Sequence, residues 1–523
     1  MKKHPIHTIL LTLFPLLFLY SNNIAITSVN VTIRPALALF AISSLLWLIL
    51  VALTKNSIKA GLIVSILFLL TFLFGPLRDL ITPIIWSHPQ RYLFAFESIF
   101  LVLSIIYILK MKRNLENTNL LFNIISMVLV GTSLISASST YLTGQKTVDY
   151  SAIETISSAD LIIPENLPDI YYIITDGYGR SDILNKLYGY DNSNFIDHLK
   201  NKGFFIANKS FSNYSQTTTS LPSSLNMNYL DKIAKQVGKS SGNVMPLVNM
   251  IKKNQVSKLF KEIGYTTVAF STGYWDTEIK NSDIFLSPDQ TTLTDFESLV
   301  LDMTPASKIL SKINSYHYDS RRKTISFILD KLDNLPKTEK PKFVFAHIAA
   351  PHEPYVYDEY GNEIEPSVPV LIPGKQDFKS FEEKNQRYCG FAEWINSRLI
   401  TVLDNILCDS TNQPIIILQA DHGSNSYLMQ GDSSYVGLIE KLAILNTYYF
   451  PDNNYENLYD SISPVNSFRL IFNQYFGAKL DLLEDKNFFS RFNTPYDLID
   501  VTAETKKQLP DNAPEPSIHK LVQ

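Results

Sequence analysis

The chain has 523 residues, with 46 Lys and Arg against 50 Asp and Glu and a formal net charge of −4. That length predicts two or three domains, and so even a charge balance excludes a nucleic-acid surface built on net positive charge. An anionic substrate therefore has to be held by local groups or by a metal.

Apolar residues are unevenly spread, and Leu, Ile, Phe and Val runs dominate roughly the first 145 positions. Five apolar stretches stand out, at about 8–27, 35–53, 58–75, 92–109 and 119–140. Each approaches the ~20 residues needed to cross a bilayer, with the third the shortest. Lys2 and Lys3 precede the first stretch as they would in a signal peptide, but no small-residue cleavage site follows, so a retained helix is predicted. Lys2, Lys3, Lys55, Lys59, Lys110, Lys112 and Arg113 fall on one side of the spans, while the alternate loops carry Arg34, Arg78 and Arg91. The positive-inside rule then makes the amino terminus cytoplasmic and places everything after about residue 141 outside. Glu97 is the one carboxylate within a span, which makes it either a functional group or an interface residue.

A polar linker with Pro164 and Pro168 follows, and the remainder alternates between two patterns. Short β-branched runs at 169–175, 265–270, 342–346 and 414–418 read as strands, and stretches at about 191–202, 247–262, 305–334 and 378–407 read as helices. Strands alternating with helices predict an α/β domain around a mostly parallel central sheet. In such sheets chemistry gathers at the carboxyl ends of the strands. Those ends carry Asp176-Gly177-Tyr178-Gly179, then a loop from His347 to Tyr355 containing His352 and Glu353, then Asp421-His422-Gly423. The glycine pair at 177 and 179 lacks the third glycine of a dinucleotide fingerprint and suits a sharp turn beside a metal-binding carboxylate. Cys389 and Cys408 fall in one long helical stretch about five turns apart, too far to bridge, and lack the spacing of a zinc or redox pair.

Between the first two runs lies Gln216-Thr217-Thr218-Thr219-Ser220-Leu221-Pro222, a hydroxyl-rich opening to a helix. Taken alone it is equally an N-cap in a Ser/Thr-rich turn. A threonine there also has backbone N–H groups and the positive end of the helix dipole nearby, which suits an anionic phosphoryl group. His198 on a helix surface, His317 in a Tyr-rich helix and His88 in an outer loop read as solvated or packing residues.

Taken in order, an Asp at the first strand end, a hydroxyl at the next helix start, a His-containing loop and Asp-His-Gly resemble the alkaline phosphatase and sulfatase superfamily. With five spans ahead of it, the chain resembles the membrane-bound branch of lipoteichoic acid synthases and phosphoethanolamine transferases. The resemblance implies an α-helical five-span bundle over 1–143, a linker at 144–168, an extracytoplasmic catalytic domain of alkaline phosphatase-like fold over 169–480, and a C-terminal extension at 481–523. It also implies Thr217 as nucleophile, with Thr218 the alternative one residue on. The metal ligands it implies are Asp176, Thr217, Asp421 and His422, where the transferase branch more often has Glu at the position of Asp176. His347 and His352 match more loosely the histidines that bind the substrate phosphate. Such a donor set fits one divalent ion, Zn²⁺ or Mn²⁺ more naturally than Mg²⁺. Two-metal relatives add Asp-x-x-x-His and a late histidine. Here that motif is absent and only His519 follows His422, so one metal is expected unless His347 or His352 is recruited.

The implied partners are a membrane phospholipid donor and an envelope glycan or lipid acceptor, at a bacterial-type cytoplasmic membrane with the catalytic domain periplasmic or extracellular. Hydrolysis of a phosphate or sulfate ester is the alternative. Sulfatases need Cys/Ser-x-Pro-x-Arg, and this region has neither that cysteine nor the arginine. A binding platform that keeps the fold without catalysis is the third reading, which the intact Asp176, Thr217, Asp421 and His422 oppose.

Overall fold

The computed structural model describes residues 2–24, 27, 29–81, 89–112, 114–144, 148–152, 155–288, 294–306, 316–332, 334–335, 340–365, 380–410, 412–429 and 435–509. His88, Arg113 and His519 lie outside them, as does the side chain of His317. The chain divides into two units, one of residues 1–146 with 291–317 and 368–375, the other of 147–290, 318–367 and 376–523.

The first unit is helical, with helices at His7–Asn23, Ile33–Thr54, Ser57–Ile81, Pro89–Lys110 and Glu116–Gly144. Four of these are long and apolar enough to cross a membrane. The expected first span, 8–27, is a helix of 17 residues that contains Pro15 and ends in Ser21-Asn22-Asn23. At 1.5 Å per residue it covers roughly 26 Å, short of the hydrocarbon thickness. The third span is longer than expected, because the helix runs 25 residues through Gly75-Pro76 to Ile81. Near the amino terminus, His7 is fully buried and paired through Nδ1 with Ser65 Oγ at 2.6 Å and through Nε2 with Asn119 Oδ1 at 3.1 Å. Its backbone N–H donates to Asn123 Oδ1 at 2.9 Å, so the first helix is tied to two others by polar groups shielded from water. Glu97 is buried, and among the described residues its Oε1 has no hydrogen-bond partner.

Residues 294–306 belong to this unit although segments of the other unit precede and follow them in sequence. They hold a short helix, Asp295–Asp302, opened by a capping box between Thr294 and Glu297. Glu297 pairs with Arg34, and Asp302 takes Arg78 Nη2 at 2.9 Å. Gly75 is needed beneath this helix, since a Cβ there would meet Met303 Cα at 2.7 Å. Both arginines read above only as loop charges are therefore anchors for this segment.

The second unit is built on a seven-stranded sheet: β1 Ile170–Thr175, β2 Phe205–Ile206, β3 Thr266–Phe270, β4 Ile284–Leu286, β5 Lys342–Ile348, β6 Ile415–Ala420 and β7 Asn446–Tyr449. Their order is β2-β7-β6-β1-β5-β3-β4. The five strands from β6 to β4 are parallel, and β7 and β2 add an antiparallel edge. Every residue of β1 is buried, as a central parallel strand covered on both faces requires. Alternate residues enter two cores: Tyr171 and Ile173 pack with Leu184, Phe195, Ile325 and Phe391 on one face, and Tyr172 and Ile174 with Leu221, Leu225, Phe260 and Phe468 on the other. The unit is thus an α/β fold with helices on both faces of a mostly parallel sheet.

The stretch predicted as one helix at 247–262 is two, Met245–Lys252 and Gln255–Glu262, because the buried Asn254 takes an extended backbone and caps the second by accepting from Ser257 N–H at 2.7 Å. The long helix, Phe381–Asp409, carries both Cys389 and Cys408 as free thiols. In the stretch set apart above as 481–523, strands β8 Phe488–Arg491 and β9 Thr494–Asp500 form a two-stranded sheet. Phe488 stacks on Tyr214, and Ser490 O accepts from Gln216 Nε2 at 2.6 Å, so this sheet backs the turn that leads into Thr217.

Replacing Arg78 with Ala leaves Asp302 partly buried without its cation. We expect a loss of about 1–3 kcal/mol in stability of the membrane unit, measured by thermal unfolding in micelles. Asp302→Ala should add little on top of it.

Candidate metal and phosphoryl-transfer site

Register places the site. Thr175, the last residue of β1, pairs with Ile348 of β5 and with Ala420 of β6. The next residues on these strands therefore emerge side by side: Asp176, the loop to His352, and Asp421-His422. Gly177 has φ of +76°, a turn that a side chain would strain, and its N–H donates to Asp421 Oδ1 at 3.3 Å. His422 N–H donates to the same oxygen at 2.9 Å, so Oδ1 is consumed by the backbone while Oδ2 is buried with no partner. Asp176 Oδ1 is likewise buried and unpartnered.

These two oxygens converge on His422. Its Nδ1–H donates to Gly423 O at 2.9 Å, which leaves the lone pair on Nε2. Nε2 lies 3.4 Å from Asp176 Oδ1, 3.4 Å from Thr217 Oγ1 and 3.8 Å from Asp421 Oδ2. Four ligands at the ~2.0–2.2 Å of a tetrahedral zinc site stand roughly 3.3–3.5 Å apart, so the residues present fit a divalent ion with little adjustment. Two overlapping ligand sets, Asp176 with His352 and His422, and Asp176 with His347 and Asp421, each bring their ligand atoms within 4.8 Å of one another. Asp176 is common to both.

The electrostatics follow from burial. Burial works against charge on Asp176, but the imidazoles of His352, His347 and His422 outweigh it and hold the carboxyl well below its ordinary range. Asp421 is pushed up to about 6 by burial and by the charge of Asp176. Burial and the neighbouring Lys441 ammonium drive His422 well below its usual value, so its ring is neutral at pH 7. A neutral imidazole beside two carboxylates is a set in which only Asp421 loses a proton to a metal near neutrality.

Thr217 begins a helix that runs to Asn226 and is almost wholly buried. The hydroxyls behind it are used within the fold: Thr219 Oγ1 donates to Gln216 O at 3.0 Å, Ser220 Oγ pairs with Ser212 Oγ at 3.2 Å, and Ser223 Oγ donates to Asn228 O at 2.7 Å. Thr217 Oγ1 instead faces His422, a contact the structure does not give Thr218. No side chain caps this helix, which leaves its amino-terminal dipole open toward the site.

The two loop histidines take different places. His347 lies inside β5, fully buried, with Nε2 3.6 Å from Asp176 Oδ2. His352 is partly exposed, and its Nδ1 donates to Glu353 O at 2.7 Å, which leaves Nε2 available to a ligand. Its loop is clamped from outside: Arg321 Nη2 donates to His352 O at 3.1 Å and Glu353 O at 3.0 Å, and Lys384 Nζ pairs with Glu353 Oε1 at 2.7 Å.

Sequence reasoning missed these supports, and it missed Lys441. That lysine is buried with Nζ 3.2 Å from His422 Nδ1. No motif marks it; the signal available was Gly423, where a Cβ would meet Glu440 O at 2.1 Å, so that a glycine is needed for the helix Tyr435–Leu442 to pass close by. His198 is also not simply solvated, since its Nε2 meets Asp404 Oδ1 at 3.0 Å.

Two outcomes follow. Affinity for Zn²⁺ or Mn²⁺ should fall about tenfold per pH unit below about 6 and level off above it, because protonated Asp421 must lose its proton to ligate; competition dialysis from pH 5 to 8 measures this. Gly423→Ala should cost more than about 2 kcal/mol in chemical denaturation, since the new methyl meets backbone rather than a flexible side chain.

No curated protein matches the chain. Among solved structures, it is similar to the C-terminal periplasmic domain of EcEptC from Escherichia coli in complex with Zn, at 11% identity and a TM-score of 0.43, covering 64% of this chain and 93% of that one. It is similar to the corresponding domain of the phosphoethanolamine transferase EptC from Campylobacter jejuni, at 14% identity and 0.38, covering 64% and 95%. The integral membrane lipooligosaccharide phosphoethanolamine transferase A from Neisseria meningitidis aligns over 90% of this chain and 95% of its own, at 10% identity and 0.39. The Sulfatase family model matches residues 168–468, from the strand that carries Asp176 through the sheet and beyond His422, and the chain belongs to the sulfatase family.

Proposed function

We propose that this site transfers a phospho-alcohol group from a membrane phospholipid to an envelope glycan or lipid acceptor, through an ester on Thr217. The observation that carries the reading is the hydroxyl of Thr217 at a helix start without a side-chain cap, 3.4 Å from His422 Nε2 and beside two carboxylate oxygens that have no hydrogen-bond partner among the described residues. A divalent ion held by Asp176, Thr217, Asp421 and His422 supplies charge neutralisation and a lowered hydroxyl pKa when bound. Thr217 Oγ, whose proton would pass to solvent as the ion binds so that it enters and leaves as the alkoxide, forms the new bond to phosphorus, and the bond from phosphorus to the diacylglycerol oxygen breaks. The departing oxygen takes a proton from Nε2 of the partly exposed His352. An acceptor hydroxyl then displaces Thr217, giving its proton back through His352. His347, shut inside the sheet, serves by holding Asp176.

Apolar helices in the same chain favour a donor that lies in a bilayer. The proposed setting is a bacterial-type cytoplasmic membrane with the amino terminus inside and the catalytic domain outside, which requires the short first helix, His7–Asn23, to cross along with the four longer ones. Hydrolysis of a phosphate or sulfate ester is the second reading, favoured by the family match. Against sulfate chemistry, Ser220, the serine before Leu221-Pro222, is 2% exposed and bonded to Ser212, and Ser224 stands where that motif has arginine.

The test is the mass of the Thr217 peptide after full-length protein is incubated with metal and phospholipid. We expect an added phospho-alcohol on Thr217 whose mass names the head group. Thr217→Ala should lose it together with at least about a thousandfold in turnover. An adduct on Thr218 moves the nucleophile by one residue, and undiminished turnover in Thr217→Ala removes the mechanism.

A further inference from the structure

We propose that the bundle end bearing Lys59, Lys110 and Lys112 binds the head group of an anionic glycerophospholipid, at a site separate from the catalytic centre. A cavity of about 820 Å³ opens there, with Asn56, Lys59, Lys110, Lys112, Asn114 and Glu116 among its lining residues. That volume falls within the roughly 300–1,000 Å³ of small-molecule pockets.

The cations come from different parts of the bundle. Lys59 stands in the first turn of Ser57–Ile81, Lys110 ends Pro89–Lys110, and Lys112 follows in the connection to Glu116–Gly144. Lys59 Nζ donates to Leu109 O at 2.9 Å, so it joins two helices and its position is set by the fold. Asn56 Oδ1 accepts from the N–H groups of Ile58 and Lys59, each at 3.0 Å, which satisfies the helix start and leaves anion binding to the lysine side chains.

Charge and position choose the ligand. Among the described lining residues three ammonium groups stand against one carboxylate, Glu116, so a phosphodiester with no cation of its own gains most, and Glu116 can accept from head-group hydroxyls. A zwitterionic head group brings a positive charge that the lysines oppose. Leu109 lines the cavity, and Leu103 and Ile106 are exposed further along the same helix, a surface suited to acyl chains rather than to free phosphate. The site lies at the end of the spans opposite Arg34 and Arg78, so it draws on the other leaflet from a donor taken up outside. It rests on the membrane reading of the bundle but not on the transfer reaction.

Native mass spectrometry of the full-length protein, released from micelles containing equal phosphatidylglycerol and phosphatidylcholine, tests this. We expect one phosphatidylglycerol retained with about a tenfold or greater preference, given the contribution of each lysine near a lipid surface. The triple variant Lys59→Gln, Lys110→Gln, Lys112→Gln should lose that preference, whereas the triple Arg variant and Lys3→Gln should keep it. If the triple Gln variant does not fold, Lys112→Gln alone, at an exposed position outside the helices, should lower the preference about threefold or more. Equal retention of the two lipids by the unaltered protein overturns the proposal. So does an undiminished preference in the Gln variants, or displacement of the lipid by millimolar inorganic phosphate. Thr217 adduct formation is read separately, so failure of either proposal leaves the other standing.

Discussion

Two carboxylates taken out of water within reach of one imidazole nitrogen are the constraint on which the catalytic unit depends. Asp176 and Asp421 each keep a buried oxygen that no hydrogen bond satisfies. Removing a carboxylate from water costs several kcal/mol even after relaxation, so a fold that does so twice needs cations to offset it. The chain supplies His347 behind Asp176, His352 at the rim and Lys441 beside His422. None of them bonds to the two unpartnered oxygens in a way that consumes them. A divalent ion is the species whose charge and reach match what remains, and the surrounding backbone contacts make sense as devices that keep those oxygens pointed at one place.

The parallel sheet sets that geometry. Because β1 lies between β5 and β6 with matched ends, three loops start at one level without any of them needing to be long. Precision then comes from two glycines with different tasks. Gly177 turns back at positive φ so that its N–H reaches Asp421, and Gly423 lets the backbone of Glu440 and Ala443 approach to a distance no side chain permits. The second approach brings Lys441 to His422. Metal ligands and lysine are thereby coupled through packing of main chain, which is stiffer than contact between side chains.

How much of this was legible follows from where each signal lived. The four central strands are short β-branched runs buried on both faces, and such runs stand out in sequence; the edge strands β2 and β4 have two and three residues, and β7 follows directly on an apolar helix end, so none shows a pattern of its own. Asp176, Asp421 and His422 were readable because each follows a strand, and Thr217 because it opens a hydroxyl-rich helix. The difference between Thr217 and Thr218 was not readable, since it depends on which hydroxyl the first helical turn aims at His422. Arg321 and Lys384 act on His352 from helices distant in sequence, through backbone carbonyls and through Glu353, and nothing local announces that. The break at Asn254 and the membrane-unit helix at Asp295–Asp302 were missed for a related reason: a side-chain cap decided each, and caps compete closely with the alternatives.

Membership of the sulfatase family leaves the reaction open, and the site narrows it. A sulfatase nucleophile must be made from a cysteine or serine exposed for modification, with an arginine nearby. Here the serine in that register is buried in a hydrogen bond to Ser212 and the arginine position is a serine. The free hydroxyl has moved three residues forward, to the helix start, where the dipole favours a phosphoryl group without any prior modification. An unmodified threonine leaves an ester that a second nucleophile must break, and the choice of that nucleophile rests with whatever the open side of the site admits. His352 is partly exposed and held at Nδ1 by Glu353 O, so on the proposed mechanism the same imidazole serves the leaving group and the incoming one. The proposed two-step displacement rests on these contacts, and none of them selects the acceptor.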